Sequence, residues 1–123
     1  MSKRVLDVGQ CSPDHAAIRR LIEDNFDAVV VQTHGSADTL DQLCDGRFDL
    51  VLINRKLDRD YSEGVDILRT IKGDAKLSDV PVMLITNFDE HHQMAVDAGG
   101  ARGFGKAELG RPETLQRLGE ILG

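Results

Sequence analysis

The stretch that most constrains the fold of this chain is Phe48-Asp49-Leu50-Val51-Leu52-Ile53, which stops at Asn54 and runs on into Arg55-Lys56. From Leu50 to Ile53 both alternating faces are apolar. A strand of that kind must be covered on both sides, as in a parallel sheet sandwiched between helices. Ligands and chemistry in such sheets gather beyond the carboxyl ends of the strands. Asn54 therefore stands where a functional side chain is expected, and the central question is what an amide can do there.

The rest of the chain alternates in the same manner. Arg4 to Gly9 reads as a first strand, although Asp7 is awkward in it, since a buried unpaired carboxylate is costly. Ser12-Pro13 reads as a helix start, with Ser as the cap and Pro at the first helical position. Ala16, Ala17, Ile18, Leu21 and Ile22 follow as its apolar stripe. Ala28 to Gln32 is a second strand. Ser36 or Asp38 opens a helix with Leu40 and Leu43 inward, and Gly46 closes it. After the central strand comes a polar loop from Asp58 to Glu63. Gly64 then leads into a helix with Val65, Leu68 and Ile71 on one face. Pro81 to Thr86 is a fourth strand, and Asp89 caps a helix carrying Met94, Ala95 and Ala98. Gly103-Phe104-Gly105 is a short fifth strand running into Lys106. Pro112 starts a last helix with Leu115, Leu118, Ile121 and Leu122 apolar. Five strand–helix repeats with short connections predict an α/β, doubly wound five-stranded parallel sheet in the order 2-1-3-4-5. The ends of strands one, three, four and five then bring Gly9-Gln10-Cys11, Asn54, Thr86 and Lys106 together.

A chain of 123 residues fits one domain, 1–123, with no second domain expected. The formal net charge of -6 argues against a nucleic-acid binder. No apolar run approaches the roughly 20 residues of a membrane span, and no secretory signal opens the chain. Two cysteines, Cys11 and Cys44, without CxxC spacing fit reduced thiols in the cytoplasm.

The chain resembles the receiver domain of response regulators, the flavodoxin-like module of bacterial two-component signalling and phosphorelays. The residues that carry the resemblance are Phe48 to Ile53 before the acceptor position, Val80-Pro81-Val82-Met83-Leu84-Ile85-Thr86, Ala98-Gly99, and Lys106. The family accepts a phosphoryl group on an aspartate ending strand three, holds Mg²⁺ with two acids after strand one, and contacts the phosphoryl group through a Thr or Ser and a Lys. By position Thr86 and Lys106 match, whereas Asn54 replaces the acceptor. The acid pair falls on Gly9-Gln10 or on Gln10-Cys11, and neither choice supplies a carboxylate. An amide oxygen is a poor nucleophile, and Mg²⁺ prefers anionic oxygen ligands, so phosphotransfer and Mg²⁺ binding are expected to be lost. Asp7, Asp58 and Asp60 are the acids that would have to substitute; Asp58 and Asp60 read as solvated loop residues. The family's switch aromatic falls on Gly103, with Phe104 next door, where a one-residue shift at Gly99-Gly100 would restore it. Where the family commonly has a cis peptide before Pro, Lys106 precedes Ala107. A cis bond there would cost about 3 kcal/mol, so trans is expected.

Among other candidates, His91 and His92 point about 100° apart on a helix and form no chelate; with His15, they read as exposed polar positions rather than a metal site. Cys11 reads as a small packed residue near the pocket and Cys44 as packing. Arg55, Lys56 and Lys106 are candidate anion contacts, against the alternative that Lys106 donates to Asn54, Gln10 or backbone carbonyls in an inert pocket. The expected function is that of a stand-alone pseudo-receiver: no enzyme, no catalytic residue, no cofactor and no metal. It would signal by contact with another signalling protein through the fourth helix, fifth strand and fifth helix, around Glu90, Gln93, Arg102, Glu108 and Arg111. The alternatives are phosphorylation on a displaced acid or a non-covalent anion sensor, and a homodimer is left open.

Overall fold

The computed structural model describes residues 2–123. The apolar run becomes β3 (Leu50–Asn54), lying between β1 (Lys3–Val8) and β4 (Val82–Ile85), with β2 (Ala28–Thr33) and β5 (Ala101–Phe104) at the edges. The five strands are parallel and ordered β2-β1-β3-β4-β5, as the alternation predicts. Leu50, Val51, Leu52 and Ile53 are fully buried, and burying each such side chain stabilises the fold by about 1.5–3 kcal/mol.

The pleat divides the core in two. Leu6, Val8, Val51, Ile53, Val82 and Leu84 face α2 (Ser36–Asp45), α3 (Gly64–Gly73) and α4 (Asp89–Asp97). Val5, Leu50, Leu52, Met83, Ile85 and Phe104 face α1 (Ser12–Asn25) and α5 (Pro112–Leu122). Asp7 belongs to the second face, under α1, because it alternates with Leu6 and Val8.

Several local expectations are corrected. Cys11, not Ser12, is the cap residue of α1, and no side chain caps that end; Pro13 already lies within the first turn, which pulls the helix start one residue back. Phe88 rather than Asp89 precedes α4. At α2, Gly35 is the cap, while Asp38 accepts from the His34 and Gly35 N–H groups at 2.8 Å. Ala16 and Ala17 are exposed, because α1 packs through Ile18 and Ile22, with Leu21 partly buried beside them. Cys44 is exposed on the outer side of α2, next to inward Leu43. In α4, the buried stripe is His92 and Ala95, which leaves Met94 outward and contradicts the reading of His92 as exposed. β5 starts two residues early and carries a bulge: Met83 pairs with Ala101 but Ile85 with Phe104. The extra residue therefore lies inside β5, not at Gly99-Gly100. No helix among the described residues is long and apolar enough to cross a membrane.

Candidate functional site

At the carboxyl end of β3, the Asn54 amide Nδ2 donates to the Gly9 carbonyl at 3.2 Å. Gly9 follows β1 directly and has φ +78°, which brings its carbonyl toward β3 and allows it also to accept from the Asp58 N–H at 2.9 Å. The β3–α3 connection, 55–63, folds back on itself: Lys56 bridges antiparallel to Glu63, and the Leu57 N–H donates to the Ser62 carbonyl at 2.9 Å. This fold-back presses the fully buried Leu57 onto Gly9, where an added Cβ would meet Leu57 Cγ at 2.6 Å. A carboxylate at position 9 is thus excluded by space as well as by backbone conformation.

Gln10 is buried at 2% exposure, and neither atom of its amide has a hydrogen-bond partner. Cys11, half-exposed at the start of α1, donates its thiol to Asp14 at 3.1 Å. The same Asp14 oxygen receives the Lys106 ammonium at 2.7 Å. The Lys106 hydrogen bond, then the Cys11 thiol and the Lys106 charge, hold the Asp14 carboxyl below the usual carboxylate range against a smaller cost of burial. Lys106 therefore donates neither to Asn54 nor to Gln10, as the inert-pocket reading had it, but to an acid supplied by α1. Beneath them, Asp7 is fully buried and accepts from His15 Nδ1 at 2.7 Å, with its other oxygen unpartnered. Burial raises the Asp7 pKa from 3.8 to about 6, opposed first by the His15 hydrogen bond and charge and then more weakly by Gln10 and Lys106.

On the other side of Asn54 lies a shallow cavity of 270 Å³ lined by Asn54, Arg55, Lys56, Thr86, Asn87 and Lys106, among others. No carboxylate lines it among the described residues. Arg55 leans toward Glu63 at 3.9 Å. Asp58 is exposed, and Asp60 turns its carboxylate onto the Ser62 N–H and hydroxyl of its own loop. Thr86 is buried, accepts from the Phe88 N–H at 3.2 Å, and lies 3.2 Å from His91 Nδ1, to which its hydroxyl is free to donate. Asn87 links the two neighbouring loops by accepting from the Ala107 N–H at 3.2 Å. The Lys106–Ala107 peptide is trans.

Phe104 does not take the aromatic's place. It is fully buried on the α1/α5 face, whereas Thr86 faces α4. Gly103 is also buried, and a Cβ on it would collide with the Leu84 carbonyl. His92 on α4 is buried, with a buried and unpartnered Nδ1. Burial, reinforced by the Arg102 charge, lowers its pKa below 6.5.

The sequence reading therefore brought Gly9, Gln10, Cys11, Asn54, Thr86 and Lys106 to one end of the sheet; it missed Asp14 and Leu57, and it read as an exposed polar position His15, whose side chain is only 14% exposed because it turns inward to Asp7. Asp7 held a signal for His15: a carboxylate on a covered strand needs a partner, and the first turn of the next helix is the nearest source.

No protein-family model matches the chain. Among solved structures, it is similar to a response regulator from Chloroflexus aurantiacus at 13% identity and a TM-score of 0.83, covering 99% of this chain and 98% of that one. It is similar to the chemotaxis protein CheY4 of Vibrio cholerae at 18% identity and 0.81, covering 99% and 100%. It is similar to the BeF3-activated N-terminal receiver domain of RstA from Klebsiella pneumoniae at 20% and 0.79, covering 98% of each. Identities this low carry the architecture and not the chemistry: the chain has the flavodoxin-like fold of response-regulator receiver domains.

Proposed function

We propose that this chain is a pseudo-receiver of two-component signalling, acting in the cytoplasm through protein–protein contact without phosphorylation of an aspartate at the end of β3. The observation that carries this reading is the closure of the β1 end. Asn54 is bonded to the Gly9 carbonyl, and Leu57 occupies the space a carboxylate at position 9 would need. The donors left around the cavity are amides, a hydroxyl and three cations, a set that does not fit Mg²⁺. No step of phosphoryl transfer to position 54 is available to it, and the chain is not an enzyme on this reading. The contact surface is the α4–β5–α5 face, where Glu90, Gln93, Arg102 and Arg111 are exposed and Glu108 half-exposed. Incubation with acetyl phosphate and Mg²⁺, followed by intact-mass measurement, is expected to leave the mass unchanged. A base-labile, acid-stable adduct of one phosphoryl group would overturn the reading.

A second reading is favoured by the cavity itself, whose lining includes Arg55, Lys56 and Lys106: a non-covalent anion site. Bound phosphate at 100 times its Kd would add about 2.7 kcal/mol to stability. A melting temperature indifferent to phosphate and sulfate at matched ionic strength removes this alternative.

A further inference from the structure

The Asp7–His15 pair is used by nothing described so far. Asp7 is fully buried, its Oδ2 fixed 2.7 Å from His15 Nδ1. A carboxylate in that place keeps the imidazole proton on Nδ1 and leaves the lone pair on Nε2. His15 Nε2 has no hydrogen-bond partner among the described residues and is not buried. His15, whose side chain is 14% exposed, is among the residues lining a separate surface pocket of 270 Å³, together with Arg19, Arg20, Glu23 and Asp24. Arg19 lies one turn beyond His15 and is paired to Glu23 at 3.1 Å. The other oxygen of Glu23 accepts from the Val30 N–H at 2.9 Å, so Glu23 stays anchored if Arg19 turns to an anion. The pocket thus combines an oriented nitrogen nucleophile with guanidinium groups suited to a phosphoryl group's oxygens.

We propose that His15 Nε2 is an acceptor site for a phosphoryl group delivered by a phosphoramidate-class donor, positioned by Asp7 and assisted by Arg19. The Nε2 lone pair attacks phosphorus, a nitrogen–phosphorus bond forms, and the donor's nitrogen–phosphorus bond breaks. The donor's nitrogen, protonated in the donor, leaves as the neutral amine, which is ammonia for phosphoramidate itself. The imidazole becomes cationic and keeps its proton on Nδ1, which donates it in a hydrogen bond to the Asp7 carboxylate. One bond of the same type is exchanged for another, so no further reactant is needed.

This proposal does not rest on the pseudo-receiver reading, and its product is chemically distinct: phosphohistidine is acid-labile and base-stable, the reverse of an acyl phosphate. The test is incubation of the full chain with potassium phosphoramidate near neutral pH, with intact mass, acid and base lability, and peptide mapping without acid. The expected result is one phosphoryl group on His15, appearing at least about tenfold faster than on His34 or His91. Asp7→Asn and Arg19→Gln should each slow it by about tenfold or more. Arg19 is an exposed residue whose replacement leaves the core untouched, and circular dichroism verifies the fold of both variants. No nitrogen-linked label, a label spread evenly over the histidines, or labelling of His15 unaffected in both variants would show that Asp7–His15 is only a structural ion pair.

Discussion

Single substitutions separate the absence of one carboxylate from the rebuilding of a whole site. Asn54→Asp alone is expected to remain unphosphorylated by acetyl phosphate with Mg²⁺, because position 9 still offers only a carbonyl and Lys106 is held by Asp14. Gly9→Asp should destabilise the fold by about 2–5 kcal/mol, the sum of a left-handed backbone cost and overpacking against Leu57. Urea unfolding measures that loss, and pairing it with Leu57→Ala tests the steric part, since the double variant should fall short of the sum of the two single losses. Asp7 sets a pH dependence. Its folded-state pKa is raised from 3.8 to about 6, so the unfolded chain releases the proton first, and stability from this group is lost as pH rises from 3.8 through 6. Asp7→Asn, which keeps an acceptor for His15, should therefore gain stability near neutral pH, by at most about 3 kcal/mol, with the gain vanishing toward pH 3.8. An unchanged or lower stability at neutral pH would mean that the His15 charge outweighs the cost of burial.

At the scale of the elements, β5 carries a bulge and sets Phe104 on the α1/α5 face, away from Thr86. Gly103→Tyr should not install a switch but cost about 1–3 kcal/mol, because its Cβ meets the Leu84 carbonyl before any ring can turn. α4 is tied to the end of β4 by His91, which lies 3.2 Å from the Thr86 hydroxyl, and its neighbour His92 is buried. His92 has a depressed pKa, so the stability it carries is present above 6.5 and lost as pH falls through its folded-state value. This is opposite in sign to Asp7. The groups facing it from α4, β5 and the following turn are Asp89, Arg102 and Glu108. Hydrogen exchange in α4 should accelerate on mild acidification in the wild type and much less in His92→Leu; equal acceleration in both would place the sensitivity elsewhere. The element pattern itself was legible, because a two-residue period for strands and a 3.6-residue period for helices survive in the chain. The β5 bulge was not legible, since pairing register depends on the neighbouring strand.

For the whole molecule, the two-layered core holds the strand ends fixed while the loops beyond them carry the differences from the family pattern. The proposed contact through the α4–β5–α5 face predicts that charge reversal at Glu90 or the substitution Gln93→Lys, both at exposed positions, leaves stability within about 0.5 kcal/mol of wild type and abolishes the proposed signalling contact. Arg102→Glu is a less clean probe, because Arg102 also pairs with Asp89 at 2.8 Å. Retained signalling with that face reversed would move the contact elsewhere.

By itself the sequence determined the sheet, its order, the helices on both faces and the absence of a carboxylate at positions 54, 9, 10 and 11. These follow from periodicity and residue chemistry, which are local properties. Only the tertiary structure decided that Leu57 closes the β1 end, that Asp14 captures Lys106, that Asp7 finds His15, and that Phe104 lies on the face away from Thr86. Each of these joins residues from different elements or loops, and which side chains meet there is set by packing in three dimensions rather than by spacing along the chain.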